Sequence, residues 1–163
     1  MPAGAEGGIT EIAYGYTEPK VALDDARAML EVWLDEQQIN ASDIRIYRVE
    51  GISVDPGGMA RSWVFGTCRA GEPLWLMYDR QDVAVLSLNS SLPADEIVFE
   101  SIVPPEDLYD RNRAEIRDVL ERHGTDVTDL ALAGGRYVLT VRSGAGIETV
   151  RFRAETGEVV SSQ

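Results

Sequence analysis

The stretch RYVLTVRSGAGIETVRFRAETGEVVSS, residues 136–162, holds two runs of alternating apolar residues, a Gly-Ala-Gly bend between them and a Thr-Gly turn after them. Alternation with a period of two is the pattern of a half-buried strand. Tyr137, Leu139, Val141, Val150 and Phe152 then share one face, and Thr140, Arg142, Thr149 and Arg151 share the other. Gly157 supplies the positive φ that a tight or bulged hairpin needs, so Thr156 and Gly157 read as a structural turn. Glu155 and Glu158 beside them are solvated charges that discourage edge-to-edge pairing, not an acid–base pair. An antiparallel sheet that is apolar on one side only must bury that side against a helix.

A helix lies just upstream, in PPEDLYDRNRAEIRDVLERHG at 104–124. Pro104 and Pro105 suit its first turn, Glu106 and Asp107 its positive end, and Gly124 its close. The first half of the chain has the same order. Leu23, Ala26, Leu30, Trp33, Leu34 and Gln37 follow helical spacing over about residues 20–38. Strands are expected in DIRIYRVEGISV, RSWVFGTCR, PLWLMYDR and DVAVLSLN, with a turn at Asp55-Pro56-Gly57-Gly58. At a constant offset of 74, residues 63–88 lie over 137–162 without a gap, Trp63 on Tyr137, Phe65 on Leu139 and Tyr78 on Phe152. The helices match at a larger offset, so the first half carries roughly a dozen extra residues around VEGISVDPGGMARS. The fold class expected is α+β, a tandem repeat of a helix packed on an antiparallel sheet. The units are 17–92 and 102–163, with 93–101 as a linker or joining strand and 1–16 as a flexible N-terminal segment.

Repeat 2 carries a further resemblance. A helix, then RYVLTVRSGAGIETVRFRAETGEVVSS, resembles the PepSY domain, whose strands end in Asp/Ala-x-x-Thr-Gly-x-Val. Here that ending is Ala154-Glu155-Thr156-Gly157-Glu158-Val159. Repeat 1 keeps the pattern but has DRQDVAV in place of the signature. The resemblance implies a non-catalytic binding module of the kind found in propeptides of secreted metallopeptidases and in exported proteins, with a peptide or a peptidase as partner. The related cystatin-like folds also pack a helix on a curved sheet. They imply the alternative, a small-ligand or enzymatic domain with a pocket between helix and sheet.

Composition narrows the field. With 28 acidic against 15 basic residues the net charge is −13, which excludes a phosphate-binding footprint and hence a nucleic-acid partner. No window approaches the roughly 18 apolar residues of a membrane span. No basic start precedes an apolar run, so no signal peptide is visible. MPAGAEGG fits a natural start or one that follows a removed export segment, in which case an extracytoplasmic location is expected.

No catalytic, cofactor or metal site emerges. Cys68 and His123 are the one thiol–imidazole pair and nothing local links them. Cys68 reads as a buried thiol, and His123 as a helix-end residue near the last carbonyls. One His and one Cys fall short of a zinc site, and Asp79 with Asp82 supplies too few oxygens for calcium. One asymmetry points to function. The outward face of repeat 1 holds Val64, Gly66, Cys68, Trp75 and Met77, which is apolar and must be covered. The cover is intramolecular, from IAYGY, the DPGGMARS loop or the other repeat. Otherwise Trp75, Met77 and Val64 form an interaction surface for a peptide, a partner or a second copy.

Overall fold

The structure is a computed structural model that describes residues 19–88 and 90–162; the segment expected to be flexible, 1–16, lies outside the described residues. Helix α1 (Leu23–Glu36) buries Leu23, Ala26, Leu30 and Leu34, the helical stripe read from the sequence. It is shorter than the expected 20–38 at both ends. It starts after Ala22 with no side-chain cap, and Gln38 leaves it with φ +62. Asp24 and Asp25 in its first turn complement the helix dipole.

A meander of four antiparallel strands follows: β1 (Ile44–Val54), β2 (Ala60–Arg69), β3 (Glu72–Asp79) and β4 (Asp82–Leu86). After a joining segment come α2 (Pro105–Arg111), α3 (Arg113–His123) and a second meander. Its strands are β5 (Thr128–Ala133), β6 (Arg136–Ser143), β7 (Gly146–Arg153) and β8 (Val159–Ser162). All eight strands form one antiparallel sheet in the order β4-β3-β2-β1-β5-β6-β7-β8, so the architecture is α+β. The first strands of the two meanders meet at its centre, with Val49 opposite Leu132 and Gly51 opposite Leu130.

Register shows that the helices share one side. Val49 faces Phe65 on one flank and Leu132 on the other, and all three are buried with α1, α2 and α3 in a single apolar core. Tyr137, Leu139, Val141, Val150 and Phe152 face that core, each 1% exposed or less. Its three polar anchors are satisfied: Trp63 Nε1 donates to Val21 O (2.9 Å) and Tyr137 Oη to Val103 O (2.6 Å), while Tyr109 Oη pairs with Thr128 Oγ1 (2.5 Å). Burial pushes both tyrosine hydroxyls well above their ordinary pKa, so they stay protonated.

Two elements depart from expectation. The segment 93–101 contributes no strand, only a 3₁₀ turn at Phe99–Ser101 and one backbone bond, Ile97 N to Ile46 O (2.8 Å), at the part of β1 that β5 does not reach. The single helix read over 104–124 is two, broken at Asn112. Asn112 Nδ2 donates both to Leu108 O (2.9 Å) and to Gly157 O (2.8 Å), and Arg111 Nη1 donates to Thr156 O (2.8 Å). The helix therefore bends to receive the Thr156-Gly157 turn, in which an Asn side chain competes with helical bonding.

Gly157 itself has φ +79, and a Cβ there would lie 3.5 Å from both Arg111 and Val103. Gly157→Val should cost about 2 kcal/mol, since a β-branched residue is strained at positive φ. Thermal melting checks this, and a variant that melts like the parent would remove the turn's structural role.

Candidate functional site

The sheet face opposite the helices is where the two halves differ. On its first half, Val64 (8% exposed) and Trp75 (4%) are buried and Met77 is half-buried. Trp75 stands opposite Gly66, and a Cβ on Gly66 would sit 2.8 Å from the indole and 2.9 Å from Leu92. Glycine at this position lets the ring lie flat on β2, and Leu92 closes over the same spot. Farther along, Arg45 pairs with Glu96 (3.2 Å) before Ile97 bonds to β1. The joining segment is thus a strap across β1–β3. The cover seen is intramolecular and comes from the joining segment; the DPGG tip packs instead on the start of α2, and IAYGY lies outside the described residues. Trp75 and Val64 are not presented to solvent in this arrangement. Nothing in their spacing announced the strap, because SSLPADE reads only as punctuation.

The second half of this face is uncovered and polar. Its cross-strand rows run Glu50–Ala131–Val138–Arg151 and Ala133–Arg136–Arg153, with Asp129–Thr140–Thr149 between β5 and β7. Small side chains on β5 leave a shallow groove of ≈ 410 Å³ between Arg48 on β1 and Arg136 and Arg142 on β6. Two ion pairs cross or border it: Arg48 Nε to Glu50 (2.7 Å) and Arg142 Nη1 to Asp129 (3.0 Å). Sequence alternation placed Arg142 and Arg151 on this face. The company they keep depends on β1 pairing with β5, which no local signal shows.

Cys68 and His123 do not meet. Cys68 is half-buried and unpaired on β2. His123 ends α3, before Gly124 in the left-handed conformation (φ +62), as expected. Its ring does not reach for the last carbonyls, however. Nδ1 lies 2.6 Å from Ser143 Oγ and Nε2 3.0 Å from Glu148 Oε1. Arg122 also donates to Glu148 (2.5 Å), and this bond first, then that of His123, holds the carboxyl below its ordinary value of 4.5. Both imidazole nitrogens are thereby spent on tying α3 to the β6–β7 hairpin. Asp79 and Asp82 face each other across β3 and β4, engaged by Ser62 Oγ (2.8 Å) and Val83 N (2.9 Å). Among the described residues no group of three or more His, Cys, Asp or Glu is placed to hold a metal ion. Among the same residues no helix is long and apolar enough to cross a membrane.

These features define a class: an α+β protein with one wide antiparallel sheet, helices on one side and half of the other side open. No family model and no curated protein matches the chain. Among solved structures it is similar to a protein from Clostridium difficile 630 described as a lipoprotein candidate, at 14% identity and a TM-score of 0.56, over 90% of this chain and 95% of that one. At that identity the likeness is one of fold.

Proposed function

We propose that the chain is a non-catalytic protein-binding module made of two PepSY-like units, 17–92 and 102–163, and that its partner is a peptidase. The observation that carries this reading is positional. β3 (Glu72–Asp79) and β7 (Gly146–Arg153) begin and end at the same offset of 74. Each is the third strand of a meander that follows helical structure, α1 in one case and α2 with α3 in the other, and all three helices lie on one side of the sheet. The description of the solved neighbour as a lipoprotein candidate favours work outside the cytoplasm. The resemblance supplies the kind of partner, and the uncovered half of the sheet supplies a surface.

The test uses a secreted metallopeptidase whose own propeptide carries this module. Equimolar addition of the protein should slow hydrolysis of a fluorogenic peptide, and the two should co-elute on gel filtration at micromolar concentration. An unchanged rate together with separate elution would sink the reading. The alternative, a small-ligand or enzymatic domain with a pocket between helix and sheet, draws on one observation, a cavity of ≈ 310 Å³ between α1 and β1 lined by Arg27, Leu30, Glu31, Ile44, Ile46 and Phe99. Elsewhere that layer is filled by Leu23, Trp63, Phe65, Tyr109, Tyr137 and Phe152.

A further inference from the structure

We propose that the uncovered sheet face over β5–β7 binds an extended, carboxylate-bearing segment of a partner protein. The inference rests on the protein-binding reading and names the chemistry of the partner. The first observation is an imbalance of charge. The chain as a whole is at −13, yet this face carries Arg48, Arg136, Arg142, Arg151 and Arg153 against Glu50 and Asp129, with Glu96 and Glu155 near Arg136 and Arg153 at its end. Glu50, Asp129 and Glu96 are committed to Arg48, Arg142 and Arg45. Among the described residues Arg136, Arg151 and Arg153 have no carboxylate partner, although the chain has 28 acidic residues to offer. The one hydrogen bond of these three guanidinium groups among the described residues is that of Arg136 Nη1 to the Gly135 carbonyl (3.5 Å).

The second observation is that two of them are placed against each other. Arg136 and Arg153 are direct cross-strand neighbours. Like charges opposite one another on one face destabilise a sheet. An acidic ligand relieves that repulsion, so folding alone does not account for the pair.

Geometry selects an extended peptide. Arg151 and Arg153 are two residues apart on β7 and project from the same face, which sets them about 7 Å apart along the strand. Carboxylates at every second residue of an extended chain have the same repeat. Such a chain can lie along the strands with its acids on the arginines and its intervening residues over Val138, Ala131 and Ala133, the low floor of the groove. Bidentate pairing of guanidinium with carboxylate supplies directionality. A long polyanion such as nucleic acid meets the rest of a −13 surface as well, whereas a short acidic segment feels mainly the local field.

The experiment is fluorescence anisotropy with a labelled decapeptide of alternating Glu and Thr, beside its Gln–Thr counterpart and a single-stranded DNA decamer. The full chain should bind the Glu peptide, and bind the Gln peptide about tenfold more weakly or worse. Raising salt to about 0.5 M should abolish the binding. The variant R136A/R151A/R153A should lose at least about tenfold in affinity while its melting temperature stays with the parent's, because surface changes of this kind cost little. Equal binding of the Glu and Gln peptides, an unaffected triple variant, or stronger binding of the DNA would each overturn the proposal. So would a parent that is dimeric on gel filtration when the triple variant is not, since the occupant would then be a second copy. The triple variant also goes into the peptidase assay. If it still binds the peptidase like the parent, acidic recognition fails while the module reading stands. If the Glu peptide binds and no peptidase complex forms, the reverse holds.

Discussion

Trp75→Asp should leave the protein largely unfolded at ambient temperature, or lower its melting temperature by at least about 10 °C. The indole is 4% exposed, lies on Gly66 and is closed over by Leu92. Removing a buried Trp side chain costs about 3–5 kcal/mol through lost transfer and the cavity left behind. The new carboxylate must also be desolvated or protonated under the strap. Set against a total stability of about 5–15 kcal/mol, that is a large fraction. Trp75→Phe is the discriminating control. Trp75 Nε1 is buried and has no hydrogen-bond partner among the described residues. Phe therefore gives up no bond there and should cost less than about 1.5 kcal/mol. Circular dichroism melts check both. If Trp75→Asp melts within a few degrees of the parent, the strap does not hold the indole and the face it covers is open after all.

Gly58→Val should be nearly as damaging, for a different reason. Gly58 has φ +82 at the tip of the β1–β2 hairpin, and a Cβ there would lie 2.7 Å from Pro105 O and 2.8 Å from Glu106 N and Cα. Left-handed backbone costs about 1–2 kcal/mol for a residue with a Cβ. The clash is with backbone, so no side chain can turn aside to relieve it, and the tip must lift off α2. We expect a total loss of about 3 kcal/mol or more, read as a drop in the urea midpoint with an unchanged slope. Gly57→Ala serves as the control. A Cβ at Gly57 meets only the Asp55 carboxylate oxygen, at 3.3 Å, and should be tolerated. If Gly58→Val and Gly57→Ala unfold at the same midpoint, the tip is not docked on the second half.

Both residues show how far local signals reach. DPGG was legible as a turn, since Asp55 Oδ1 accepts from Gly57 N (2.9 Å) and Met59 N (3.1 Å) within four residues of chain. That its tip abuts the start of α2, nearly fifty residues on, was not. The residues of VEGISVDPGGMARS have a tertiary role of the same kind: they form the end of β1 that pairs with β5, and the turn that reaches α2. The helix break has the same origin. RNRAEIRDVLERH is good helical sequence: Asn112 keeps its backbone bonds to Leu108 O (3.2 Å) and from Ile116 N (2.9 Å), and its side chain reaches the distant Gly157 carbonyl where the helix breaks.

The candidate surface divides likewise. Alternation placed Trp75, Met77 and Val64 on one face, and that placement is seen. It did not show that a strap of low sequence signal would lie over Trp75. Nor did it show that the unpaired arginines of β6 and β7 would lie on the half left bare.

By itself the sequence determined the periods of the strands and of the first helix, the turns between neighbouring strands, the side of the hairpin strands that meets the helices, and an α+β composition. These follow from interactions over a few residues, where side-chain spacing and positive-φ positions suffice. Only the tertiary structure decided that β1 and β5 join the two meanders into one sheet, which half of the open face is covered, and which arginines lack acids. Those outcomes come from contacts between segments far apart in the chain, and a period of two names a strand's faces without naming its neighbour.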